Sequence, residues 1–180
     1  MSLPYISKLL SQISGSKGVA RANRYKVLFR SGDAEKLNIL CDSVILPGRQ
    51  ILTADVMTDM KAVKRPYAFA NEDVVISFTL TNDWYTWNHL KTWQNSTISF
   101  IDSVQGNYTV NLKNVYARDI EIQHLDTNDV IMKRITLYNA YPATLNSIEL
   151  GDANENAILK CNATFVYDNW AVTESVNSSF

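Results

Sequence analysis

The chain has 180 residues with 17 basic and 18 acidic side chains, a net charge of −1. A chain of this length can bury roughly 70% of the surface its unfolded form exposes, so one core suffices without a disulfide or metal staple. The charge balance argues against a domain that coats nucleic acid, because such domains carry a basic excess that releases counterions from phosphates.

Leu3 to Ile13 has Pro4 where a first helical turn tolerates it, Ser2 as candidate cap, and Ile6, Leu9, Leu10 and Ile13 at helical spacing. The result is a short amino-terminal helix with one apolar stripe, detached by a Gly15-Ser16-Lys17-Gly18 link. Tyr25, Val27 and Phe29 then alternate with Lys26, Leu28 and Arg30, which predicts a first strand. A turn is expected at Ser31-Gly32-Asp33, and a second strand from Leu37 to Leu46.

Pro47 to Asn71 fits least well as a core element. It holds Met57, Met60, Lys61, Lys64, Arg65 and Pro66 with no sustained apolar face, and it is too long for an ordinary loop. Such a segment is expected to have a partner, and its methionines tolerate imperfect packing. Val74, Ile76, Phe78 and Leu80 alternate with Val75, Ser77, Thr79 and Thr81, predicting a central strand over Val74 to Asn82.

Asn82 or Asp83 is the expected cap of an internal helix bearing Trp84, Trp87, Leu90 and Trp93. Residues three apart drift round a helix, so this stripe covers about half its circumference. The tryptophans are read as anchors over a β core; a base-stacking platform would interleave them with basic residues, and only Lys91 is near. Further strands are predicted from Tyr108 to Tyr116, Asp119 to Leu125 and Val130 to Tyr138, with Asp126-Thr127-Asn128-Asp129 as the hairpin turn between the last two. After a tight Tyr141-Pro142 opening and a polar excursion comes a closing strand. Leu159, Cys161, Ala163, Phe165 and Tyr167 point one way, and Lys160, Asn162 and Thr164 the other. Thr173 to Ser179 reads as a polar tail.

Catalytic chemistry is not visible. His89 lies within the tryptophan helix and His124 on a strand, neither with a carboxylate–histidine–nucleophile arrangement around it in sequence. No phosphate-cradling glycine loop, HExxH or CxxC occurs, so no catalytic, cofactor-binding or metal-binding residue is assigned. Asp126, Asp129, Glu149, Asp152 and Glu155 lack calcium-loop spacing and read as solvated turns. Cys41 and Cys161 are expected as buried thiols in a reducing compartment; a bridge between them would need their strands to be neighbours. No run of about eighteen apolar residues is present to span a membrane.

Four stretches in order carry a resemblance. Ala20 to Val27, Leu40 to Gly48 with its Leu-Pro turn, Val74 to Asn82 with the helix ending Lys91-Thr92-Trp93-Gln94, and Tyr141 to Trp170 resemble the inner tail-tube proteins of contractile-tailed bacteriophages. The resemblance runs from about Ala20 to Trp170, and residues 1–19 depart from it. It implies a mainly β fold of two packed antiparallel sheets, a β-sandwich or half-barrel with a flanking α-helix. The expected organisation is an amino-terminal helix and linker over 1–19, the tube domain over 20–170, and a tail over 171–180.

The resemblance also implies a function: a structural, non-enzymatic subunit with no cofactor, forming hexameric rings stacked into a tube. Such a tube conducts the genome and is driven through the host envelope on sheath contraction. Implied partners are further copies of the chain, tail sheath, baseplate or tube-initiator and tail-terminator proteins, and DNA passing without sequence-specific binding, with no membrane anchor. The implied location is the virion tail, assembled in the host cytoplasm. Polar faces such as Lys160, Asn162 and Thr164, or Ser77, Thr79 and Thr81, are candidates for lumen or outer surface. A baseplate tube-initiator or tail-completion relative, a type VI or phage-derived injection tube, and a β-sandwich carbohydrate-binding module are the alternative readings. The amphipathic amino-terminal helix favours the first of these, since a helix with one apolar stripe must dock on something.

Overall fold

The computed structural model describes residues 4–15, 19–30, 35–58, 60–102, 107–151 and 158–174. The expected turn at Ser31-Gly32-Asp33 lies outside them. Seven strands form one bent antiparallel sheet in the order β1 (Tyr25–Phe29), β8 (Arg118–Leu125), β9 (Ile131–Leu145), β10 (Lys160–Val166), β5 (Val74–Thr79) and β2 (Cys41–Val44), with β11 (Asn169–Glu174) also paired to β9.

The bend lies in β9, which serves both halves. Its residues Lys133 to Tyr138 pair with β11, and Tyr141 to Leu145 pair with β10. Between them Asn139 takes a left-handed backbone (φ 54°), which asparagine tolerates better than most residues. Its backbone N–H donates to Asp119 Oδ1 at 3.1 Å and its side-chain amide to Asp168 Oδ2 at 2.9 Å, fixing the corner. The two halves thereby face each other, and the Tyr25 hydroxyl donates to the Asp42 carbonyl across the gap between the outermost strands. The result is a half-barrel.

Period-two alternation fills it. Val27 and Phe29, Val74, Ile76 and Phe78, Ile120 and Ile122, Leu137, and Cys161, Ala163 and Phe165 are all buried in one core. Phe29 stands 5.9 Å from Phe78 and 5.8 Å from Phe165, so the halves meet through aromatic rings. Helix α3 (Tyr85–Thr97) closes the open side with Leu90 and Trp93.

Several elements differ from expectation, each for a physical reason. Leu37 to Ile39 is not strand but part of helix α2 (Glu35–Ile39), which turns Leu37 into the core and lets Asn38 Oδ1 accept the Phe29 backbone N–H at 2.9 Å. Tyr108 to Tyr116 divides into β7 (Asn107–Val110), paired to β6 (Ile98–Asp102), and a short helix α4 (Lys113–Tyr116). The division is held by Asn111, whose amide donates to the Ser96 carbonyl at 2.8 Å, and by Trp93, whose indole N–H donates to the Tyr116 carbonyl at 2.7 Å. The strand expected to end at Tyr138 runs on through Tyr141-Pro142 to Leu145. The register irregularity between Thr164 and Phe165 accommodates a proline that has no N–H to donate. Strand β11 occupies Asn169 to Glu174 and so extends into residues assigned to the tail.

Cys41 and Cys161 are both free thiols. Each pairs in register with Phe78, from opposite sides of β5. Two inter-strand spacings, about 9–10 Å, exceed any disulfide.

Candidate assembly surfaces

The segment from Pro47 to Asn71 is a β-ribbon. Strand β3 (Arg49–Thr58) pairs with β4 (Lys61–Asn71) along its whole length, with Met60 at the tip in a left-handed conformation (φ 65°). It is more regular than its sequence suggested, because neither face is covered and no apolar periodicity was required of it. Every β4 residue from Lys61 to Ala70 is exposed. Ile51, Met57, Tyr67 and Phe69 are each more than half exposed, and Met60 is 99% exposed. A lone two-stranded ribbon is marginal in water, and this one carries apolar side chains left largely in water.

A second uncovered surface is helix α1 (Pro4–Gly15). Its Ile6, Leu9 and Leu10 are exposed by 47%, 49% and 60%, so the apolar stripe does not dock on the chain that bears it.

The sheet presents two polar faces. In register, Lys160 lies beside Thr79, Asn162 beside Ser77, and Thr164 beside Thr144, so the polar sets of β5 and β10 form a single surface. Its lysine is neutralised by Asp42 at 2.8 Å. Thr81 is not part of it; its hydroxyl donates to Asp83 at the start of α3. The other polar face crosses β1, β8, β9 and β11. There Glu121, with its side chain 6% exposed, sits between Arg30 at 3.1 Å and Arg134 at 2.5 Å, and Gln123 donates to it at 2.6 Å. Burial pushes the Glu121 carboxyl up, but the Gln123 amide and the two guanidiniums outweigh it and hold it below the ordinary glutamate value.

The titratable groups are used structurally. His89 stacks on Tyr85 at 5.8 Å, and His124 Nε2 lies 3.2 Å from the Arg21 carbonyl. Asp83 accepts from Lys36 and Thr81 and from the Tyr85 backbone N–H; the Lys36 hydrogen bond leads in holding its carboxyl down at about 2. The cap itself is Trp84 in a left-handed conformation (φ 52°), so Asp83 steadies the first turn from one residue further out. Asp126 folds back onto the Thr127 backbone N–H and Asp129 pairs with Arg24 at 3.1 Å, the work of a hairpin turn. No group of three metal-ligating side chains occurs among the described residues, and Asp152 and Glu155 lie outside them.

The tryptophans divide by role. Trp93 is 4% exposed and lies edge-on to Phe29 at 6.3 Å, whereas Trp87 is half-buried, edge-on to Trp84 at 6.0 Å with Lys91 Nζ 4.5 Å over its ring. Spacing in the sequence could not rank them, because a stripe of residues three apart turns progressively away from the core.

Residues 4–173 match the model of a family described as phage tail tube protein. No curated protein matches the sequence. Among solved structures, the fold is similar to a chain of the sheath–tube complex of an extracellular contractile injection system (PVC) in the extended state, with 19% identity, 91% of this chain and 97% of that chain covered, and a TM-score of 0.65. It is also similar to a chain of the sheath/tube terminator of that system (16% identity, 86% and 96% covered, TM-score 0.64) and to one of the anti-feeding prophage baseplate (12% identity, 87% and 96% covered, TM-score 0.62). At these identities the likeness is one of fold.

Proposed function

The chain belongs to the phage tail tube protein family, a structural and non-enzymatic one, and from that premise we propose that it forms six-membered rings which stack into the inner tube of a contractile tail. The tube conducts the genome and is driven through the host envelope when a surrounding sheath contracts. Its partners are further copies of the chain, the sheath, and the proteins that start and end the tube, and it assembles in the host cytoplasm before residing in the virion tail.

The observation that carries this reading is the uncovered β3–β4 ribbon, with Ile51, Met57, Tyr67 and Phe69 in water. An element with two open edges and exposed apolar side chains suits burial against a neighbouring subunit, and a ring closes edges that a monomer leaves open. Helix α1, with its own unburied stripe, is suited to the contact between successive rings.

Negative-stain microscopy and light scattering of concentrated protein, alone and with sheath and baseplate proteins, test the proposal. Rings and tubes are the expected result. A monomer that forms neither in the presence of its tail partners would overturn it, and rings that elongate only when a second tube protein is added would assign the chain to tube initiation.

A further inference from the structure

We propose that Arg49 is a clamp that sets the inclination of the β3–β4 arm against the body of the subunit, a role that rests on reading the arm as an inter-subunit element. The guanidinium carbon lies 5.0 Å from the centroid of Phe69, on the arm, and 5.1 Å from that of Trp170, on β11. In the same pattern its Nε donates to Asn71 Oδ1 at 3.3 Å, at the end of the arm, and its Nη2 to Asn169 Oδ1 at 3.5 Å, on β11. One planar cation therefore makes a ring contact and an amide contact to each of the two parts it joins.

The chemistry requires arginine. A delocalised guanidinium presents its faces to aromatic rings while its N–H groups stay in the plane for hydrogen bonds; a lysine ammonium offers a point charge with no such division of labour. The body side of the clamp is firm, because Trp170 packs against the hydrophobic core and its backbone N–H donates to Asn169 Oδ1 at 2.9 Å, fixing the acceptor that Arg49 uses.

The arm needs such a device. Its root is closed by the Glu72 N–H to Gly48 carbonyl bond at 3.0 Å and by the Tyr167 hydroxyl donating to the Glu72 carbonyl at 2.6 Å. Those contacts fix where the ribbon starts, not how it leans. A ten-residue strand is a lever of about 33 Å, so a rotation of about 10° at the root moves the tip by about 6 Å. An interface that must meet an arm swinging this far forfeits affinity to ordering it, and a clamp removes that loss in advance.

The test uses the full chain with Arg49→Ala, Arg49→Lys, Phe69→Ala and the Arg49→Ala/Phe69→Ala double variant. Three readouts are taken: the critical concentration for assembly by sedimentation, the melting temperature, and amide hydrogen exchange of the unassembled subunit at residues 49–52 and 68–71. Arg49→Ala is expected to raise the critical concentration about ten-fold, to speed exchange at the arm base, and to leave melting within about two degrees of the parent. Arg49→Lys should recover only part of the loss, and in the unassembled subunit the double variant should exchange at the arm base no faster than Arg49→Ala alone, because the Arg49–Phe69 contact is already gone in the single variant. Parental exchange at the arm base in Arg49→Ala would overturn the clamp, as would parental assembly in a chain whose arm is needed. Whether the arm is needed is read separately by replacing Val56 to Pro66 with a short Gly/Ser link. If that variant still forms tubes, the inter-subunit reading of the arm fails, while the exchange measurement continues to judge the clamp itself.

Discussion

Phe78 is the residue on which the core turns: fully buried, 5.9 Å from Phe29, and flanked in register by Cys41 and Cys161. Phe78→Ala is expected to lose about 3–5 kcal/mol of unfolding free energy, and Trp93→Ala a similar amount, since it also leaves the Tyr116 carbonyl without the indole donor. Trp87→Ala should lose distinctly less, because that ring is half-buried and its exposed contact with Lys91 contributes only about 0.5–1 kcal/mol. Denaturant titration of the three variants checks the order; a Trp87 loss equal to that of Trp93 would place both rings in the core. The flanking thiols add a pH dependence. Burial, and secondarily the Asp42 carboxylate, push Cys41 up to about 12, and burial raises Cys161, Tyr25 and Tyr167 as well. All four are neutral in both folded and unfolded chains at pH 7, so stability there does not depend on them. As pH rises past the ordinary thiol range, the unfolded chain releases protons that the folded chain retains, and stability falls progressively toward pH 12. Melting temperatures between pH 8 and 11 should decline with Cys41 intact and decline less in Cys41→Ser.

At the scale of elements, what the sequence made legible is what repeats. Strands β1, β5 and β10 are read from alternation because one face of each is the more deeply buried, and α1 and α3 from spacing. What was not legible is where local pattern and tertiary need part company. Leu37 and Ile39 alternate like a strand, yet a five-residue helix buries Leu37 and aims Asn38 at the β1 edge. The Tyr141-Pro142 pair lies beyond the expected end of its strand, yet a shift in the opposing register absorbs the missing donor and β9 continues. Strand β11 was hidden because a short edge strand with Asn169, Thr173 and Glu174 has the composition of a tail, and only the open flank of β9 recruits it. The arm was recognised as foreign to the core but not as a ribbon, since an uncovered strand has no face to encode. The candidate assembly surfaces are thus visible mainly as misfits, in the apolar stripe of α1 and in the unplaced methionines. Helix α1 yields a prediction on those grounds. With Ile6, Leu9 and Leu10 undocked in the single subunit, deletion of Met1 to Gly18 should shift melting by less than about two degrees while shortening or abolishing stacked tubes in micrographs. Long tubes from the truncated chain would exclude α1 from ring stacking, and a large drop in melting would show that it packs on its own subunit.

At the scale of the whole molecule, the two polar sheet faces differ in a way that matters for the conduit proposed above. A bore that lets DNA slide must not gather cations, because each phosphate contact releases counterions and adds to the grip. The face built on Ser77, Asn162 and Thr164 is hydroxyl and amide, with Lys160 answered by Asp42. The face around Glu121 holds Arg30 and Arg134 around one carboxylate, with Thr136 beside it in register. In an assembled tube any added charge is repeated in every subunit of every ring, so one substitution becomes a continuous stripe and its effect on a passing polyanion is multiplied. Asn162→Arg and Thr136→Arg therefore report on which face lines the bore of the proposed tube. Asn162 is exposed and Thr136 half-buried, and neither belongs to the hydrophobic core, so both variants are expected to fold and to form tubes. The one whose arginine enters the bore should slow genome release, with the delay shrinking as salt is raised, and the other should release DNA at the parental rate. The measurement is the time course of DNA release from tailed particles carrying each variant, at low and high salt. A delay that does not respond to salt would point to altered assembly instead of phosphate contact, and unchanged release with both arginines would remove both faces from the bore.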